Sequence, residues 1–182
     1  MRITKVQLRA CARAALEQRR GYFVEVDKGQ GFVPGARLTA SKAGKRIKVA
    51  VRTSLDREIG LMRDHDGNWR TIPKVGLVVV AVRAVGDPAS VEVFGFDPKI
   101  LKKEFDAALA AQRERNQDLS HKAPIFMSLD EISGKKQWRE LLPLSSVSTQ
   151  GKVGFIERVK REFAELMGVD VSKVTVDFHL NA

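Results

Sequence analysis

Between Lys45 and Phe96 the apolar positions of the chain first alternate and then saturate. Ile47, Val49 and Val51 alternate with Lys48, Ala50 and Arg52, so the strand period of two predicts one apolar and one basic face. Ile59–Arg63 predicts a further strand, Asp64-His65-Asp66-Gly67 a hairpin turn, and Trp69–Ile72 the returning strand. Leu77–Val82 is apolar at every position, the pattern of a central strand covered on both faces. Gly86–Ser90 then reads as a loop leading into a strand at Val91–Phe96.

Helical spacing appears on either side of this block. Thr4 is placed to cap a helix running to about Arg20, with Gly21 as its stop. Leu8, Cys11, Ala12, Ala15 and Leu16 give that helix a buried stripe, and Lys5, Arg9 and Arg13 give it a basic one. Tyr22–Val26 predicts a short strand, and Gly29, Gly31 and Pro34-Gly35 mark loops. Arg37–Ala40 is expected to pair with Ile47–Arg52 across Ser41–Gly44. Asp97-Pro98 opens a second helix to about Arg115, burying Leu101, Phe105, Ala108, Leu109 and Gln112.

Beyond Asn116 the pattern weakens: a polar stretch, an apolar run at Ile125–Met127, and a short helix at Ser128–Glu131. Leu144–Gly151 reads as a linker or exposed loop. Val153–Met167 reads as a closing helix with Val153, Ile156, Val159, Phe163 and Leu166 on its apolar face, and Val174–Phe178 as a last strand. The expected fold is α/β, with a mixed, mostly antiparallel central sheet flanked by helices. Residues 1–130 form its core, and residues 131–182 form a C-terminal helix-strand appendage packed on the same domain.

Length and composition narrow the class. A chain of 182 residues suits a single domain with its own core. The one cysteine, Cys11, forms no internal disulfide, no stretch reaches the roughly 18 apolar residues of a membrane span, and Met1–Lys5 does not open a secretory leader, so a cytoplasmic protein is expected. Charge changes the picture most. Thirty-two Lys and Arg against 22 Asp and Glu give a net charge of +10, which favours polyanionic partners, nucleic acid first and an acidic membrane surface second.

The helix, the basic strand Val49-Ala50-Val51-Arg52-Thr53-Ser54, Asn68-Trp69 and the apolar strand at Leu77 together resemble the restriction-endonuclease-like PD-(D/E)xK nuclease superfamily, over roughly residues 5–115. The resemblance implies an acid-x-lysine pair on the basic strand, an Asp on the preceding strand and often a Glu on the first helix. Together these would hold Mg²⁺ and activate water. In this chain Ala50 stands at the acid position and Arg52 at the lysine, and arginine does not accept a proton at neutral pH. Arg37–Ala40 offers no carboxylate, and Glu17 is the one helix acid. Asp97-Pro98-Lys99 has the letters of the motif at a helix start. Glu25 and Asp27 supply carboxylates with no lysine placed beside them. His65, His121 and His179 lack ligand spacing, Asp64–Asn68 lacks the distal Glu of a calcium loop, and Cys11 falls on a buried stripe. No metal or cofactor is therefore expected.

What remains is a basic surface. Lys42, Lys45, Arg46, Lys48 and Arg52 are expected to contact phosphates, with Arg9 and Arg13 on the helix as a second stripe. Trp69 and Arg70 offer an aromatic beside a cation for base stacking, and Arg57 and Arg63 are expected in the same sheet. The leading expectation is a non-catalytic DNA-binding protein on a degenerate nuclease-like scaffold. The alternatives are a protein-interaction module meeting an acidic partner and a nuclease with a displaced site.

Overall fold

Thr4 caps the first helix as expected: its hydroxyl accepts from the Gln7 amide at 3.3 Å, and the Gln7 side chain accepts from the Thr4 amide at 2.9 Å. Helix α1 (Lys5–Ala14) continues through a π-helical turn at Ala15–Arg19, and Gly21, at φ 68°, ends it. The computed structural model describes residues 3–27, 33, 35–115, 123–145, 160, 163, 164 and 166–175. The expected loop glycines Gly29 and Gly31, the polar stretch 116–122 and most of the Ser/Thr-rich segment lie outside the described residues.

Strands β1 (Phe23–Val26), β2 (Arg37–Lys42) and β3 (Lys45–Ser54) run as an antiparallel meander. Strand β4 (Glu58–Leu61) follows, then β5 (Leu77–Arg83) and β6 (Ser90–Phe96). Helix α2 (Pro98–Glu114), β7 (Ile125–Ser128), α3 (Leu129–Ile132) and β8 (Trp138–Pro143) complete Met1–Leu144. The main sheet has six strands in the order β1-β2-β3-β5-β6-β8. The β3–β5 pair is parallel and the others antiparallel, so the sheet is mixed and mostly antiparallel.

Strand β5 is interior to that sheet, and every residue from Leu77 to Val82 is buried. Its apolar run is the consequence of cover on both faces. Helix α1 packs against β3, β5 and β6 with Leu8, Cys11 and Ala12 buried. On the other face Val78, Val80, Val82, Phe94 and Phe96 join Leu101, Phe105 and Leu109 of α2 in one core cluster. Asp97 caps α2 by accepting from the Lys99 amide at 2.7 Å, with Pro98 at the first helical position.

Several expectations change. Trp69–Ile72 is not a strand: Trp69 makes a single bridge to Arg63, and the chain then enters a 3₁₀ turn at Ile72–Lys74, where Pro73 has no amide to give a ladder. Strand β4 pairs with β7 and not with the main sheet, so Arg57, Arg63 and Arg70 lie outside the six strands. The segment Trp138–Pro143, assigned by sequence to the appendage, is the edge strand next to β6, and the chain divides after Leu144 instead of after residue 130. Gly95 makes that pairing possible. The Trp138 indole lies across it, and a Cβ there would run into the ring.

In Ser145–Ala182, Phe163, Ala164, Leu166 and Met167 are helical, and Gly168 at φ 66° ends that helix. Phe163 and Leu166 are exposed and Ala164 is buried. Asp170 caps a 3₁₀ turn at Val171–Lys173. Val174 and Thr175 are not in a strand, and the rest of the expected last strand lies outside the described residues, as does the helix start at Val153. Among the described residues, no helix is long and apolar enough to cross a membrane.

Candidate nucleic-acid interface

The β2–β3 hairpin closes at Lys42↔Lys45 around Ala43 and Gly44, whose φ values of 47° and 74° make the two-residue turn that suits strand twist. From that register, Lys48 sits opposite Thr39, Arg46 opposite Ser41 and Ala50 opposite Arg37. Glu25 of β1 is opposite Thr39 on its other side. The β1–β3 part of the sheet therefore carries a polar face, with cations and carboxylates interleaved.

Much of its positive charge is met locally. Arg46 pairs with Glu25 at 2.6 Å, and Lys48 lies 3.1 Å from Asp27 and donates to Thr39 Oγ1 at 2.8 Å. Burial alone would raise Asp27. Hydrogen bonds from Thr39 and Lys48 and the charges of Lys48 and Arg37 outweigh it, holding the carboxyl below its ordinary range. Arg52 is half-buried, with Nη2 donating to Thr71 Oγ1 at 2.6 Å, and burial followed by the like charge of Arg37 pushes it below its ordinary value.

Two clefts flank β3. The larger, about 480 Å³, opens at the hairpin end and is lined by Tyr22, Lys42, Lys45, Ile47, Leu77 and Gln137, among others, with no carboxylate among the described residues of its wall. Lys42 is held over the Tyr22 ring at 5.5 Å and donates to the Arg20 carbonyl at 2.7 Å, so its charge is oriented without being neutralised. Lys45 is exposed and has no ion pair among the described residues. Beside the cleft, Arg20 stacks over Trp138 at 5.4 Å and lies 3.7 Å from Glu140. The smaller cleft, about 260 Å³, lies on the polar face and is lined by Asp27, Arg37, Lys48, Thr71 and Lys74, with Val49 and Val75.

The structure brings together Lys42 and Lys45 in one cleft, places Lys48 in the other, and sets Arg52 against that second cleft through Thr71. Arg9 and Arg13 line neither. The Arg9 stem packs by Gly35, and Arg13 pairs with Glu17 at 2.9 Å. Trp69 is buried, edge-on to Phe105 at 5.6 Å, with Nε1 donating to Asp106 at 2.7 Å. It is a core residue and no stacking platform. Arg70 is exposed beyond it. Tyr22, Gln137, Arg37, Thr39, Thr71 and Lys74 were not singled out by sequence. Only strand register and the return of the chain at Thr71–Val75 bring them here.

The carboxylates are dispersed. Glu17 is tied to Arg13, and Asp97 serves its helix cap. Glu25 and Asp27 do have cations beside them, Arg46 and Lys48, which the sequence did not place there. His65 is exposed at its hairpin tip, and His121 and His179 lie outside the described residues. Among the described residues no three His, Cys, Asp or Glu side chains group as metal ligands. Comparison of the chain with protein-family models, curated proteins and solved structures finds no match.

Proposed function

We propose that this chain is a non-catalytic nucleic-acid-binding protein, with DNA favoured, built on a degenerate restriction-endonuclease-like scaffold. The observation that carries the reading is the hairpin-end cleft: two lysines and a tyrosine converge there, with no carboxylate among the described residues of its wall. Such a site offers charge to a phosphate backbone and an aromatic edge to a sugar or base. A net charge of +10 adds long-range attraction to it. For the scaffold, the support is the order of helix, antiparallel meander and parallel β5. Ala50 and Arg52 occupy the positions on β3 where the resemblance expects an acid and a lysine.

A methyl group binds no metal and a guanidinium takes no proton, so the reading assigns the protein binding without cleavage. Fluorescence anisotropy with a labelled duplex at low salt tests it. The wild type should bind, and Lys42→Ala/Lys45→Ala, both exposed positions, should bind at least tenfold more weakly while folding normally (about 0.7 kcal/mol or more per lysine). Supercoiled plasmid incubated with Mg²⁺ or Mn²⁺ should stay intact. No duplex binding at low salt would turn the reading toward an acidic protein partner.

A further inference from the structure

Contact with a phosphate backbone would use only part of the hairpin-end cleft. Lys42 and Lys45, both exposed, stand opposite each other in the β2–β3 register and suffice for it. The rest of the wall is of another kind. Leu77 is buried, Ile47 is half-buried, and the half-buried Tyr22 ring lies with Lys42 Nζ 5.5 Å from its centroid. The exposed Gln137 side chain and the Tyr22 hydroxyl have no hydrogen-bond partner among the described residues. Both residues are anchored through their backbones, Tyr22 donating to the Leu16 carbonyl at 2.9 Å and Gln137 to the Gly95 carbonyl at 2.8 Å. A backbone phosphate alone would leave the apolar wall and the free amide facing water.

We propose that this cleft receives an unpaired base of a single-stranded nucleic acid, with Lys42 and Lys45 on the phosphates beside it. The inference rests on the nucleic-acid reading above and narrows its ligand. An unpaired base has apolar π faces and a hydrogen-bonding edge; Tyr22, Ile47 and Leu77 match the first and the Gln137 amide the second. In a duplex the same base is stacked and paired, and only its groove edges are open. A volume of about 480 Å³ is that of a small-ligand pocket and admits one nucleotide, not a paired stack. Charge alone would favour the opposite choice. A duplex presents more phosphates per unit length than one strand, so a cleft that merely attracted charge would hold the duplex more tightly. Preference for the single strand is therefore the signature of base contact.

The probes are a labelled thymidine homopolymer, an abasic strand and a duplex, all of one length, titrated with the full chain at one low salt concentration and followed by fluorescence anisotropy. The strand with bases should bind at least about fivefold more tightly than the abasic strand, and more tightly than the duplex. Tyr22→Ala should weaken single-strand binding at least about fivefold, and Gln137→Ala about threefold. Both should leave abasic-strand and duplex affinities within about twofold, and Tyr22→Phe should keep most of the single-strand affinity. If Tyr22→Ala does not fold, Gln137→Ala, at an exposed position, and the abasic strand decide. Lys42→Ala/Lys45→Ala should weaken all three ligands. Equal affinity for the strands with and without bases, tighter binding of the duplex, or single-strand affinity unchanged in Gln137→Ala would overturn this inference and leave backbone binding by the two lysines standing. Binding of none of the three would remove the nucleic-acid reading itself, and this inference with it.

Discussion

Trp69 separates a packing role from a binding role, and Trp69→Phe is the change that does so. The indole is 4% exposed, sits edge-on to Phe105 and donates to Asp106, whose carboxylate also pairs with Lys102 at 2.7 Å. Phenylalanine keeps most of the apolar contact and removes the donor. A hydrogen bond to a charged group contributes about 1.5–3 kcal/mol, and the half-exposed Asp106 retains Lys102 and water, so a loss of about 1–2 kcal/mol is expected. Trp69→Ala adds a cavity and should cost about 3–5 kcal/mol. Burial opposes ionisation of Asp106, but hydrogen bonds from Lys102 and Trp69 and the Lys102 charge prevail and lower its pKa. The stability it contributes is therefore present above the unfolded Asp value of about 3.9 and lost as pH falls through the lower folded value. The gap between wild type and Trp69→Phe should narrow over that acidic range. Urea unfolding followed by circular dichroism measures both terms, since Trp138 would confuse fluorescence. At neutral pH duplex affinity should stay within about twofold, because nothing at either cleft changes. Unaltered stability with a large loss of affinity would make Trp69 a stacking surface and refute the assignment.

Other outcomes follow from single sites. Val79 is fully buried in β5, so Val79→Asp should abolish soluble folding, and a folded mutant with an unchanged melting temperature would displace β5 from the centre. Glu92, its carboxylate 5% exposed, accepts from Arg57 at 2.6 Å and from Arg139, tying β6 to β8 and to the α3 region; Glu92→Gln should lose about 2–3 kcal/mol in denaturant melts, and no loss would show that the bridge is dispensable. Burial pushes the Cys11 thiol up to about 11, so thiol reagents at pH 8 should label it only after denaturant is added. Rapid labelling of folded protein would contradict its place on the buried face of α1.

Local signals were legible wherever one residue pattern decided the outcome. Leu77–Val82 needs only its own apolar run and Asp97-Pro98 its own cap; the β2–β3 hairpin was legible as a pairing across Ser41–Gly44, and the structure extends it to Lys42↔Lys45 with only Ala43 and Gly44 in the turn. Trp138–Pro143 was missed because an edge strand packed on one side alternates weakly, with Trp138 and Leu142 buried and Leu141 exposed between them. Pro73, with no amide to give a ladder, stops the chain from running on as a strand past Ile72, a local signal the reading of Trp69–Ile72 did not use. The site was less legible. The basic strand was plain, but whether its charges are free depends on β1: Glu25 and Asp27 reach Arg46 and Lys48 across β2 from more than twenty positions earlier. The partnership of Arg52 with Thr71 likewise needs the parallel β3–β5 crossover, which no local spacing encodes.

The most direct test of nucleic-acid binding at the hairpin end is the salt dependence of duplex affinity, from about 50 to about 200 mM sodium chloride, for the wild type and Lys42→Ala/Lys45→Ala. Each phosphate neutralised contributes about 0.9 to the slope of log affinity against log salt, so two lysines at the backbone make the double mutant shallower by about 2. Arg46→Ala, whose charge Glu25 already meets, should change the slope far less. Equal slopes for wild type and a folded double mutant, or no duplex binding at the lowest salt, would contradict the account.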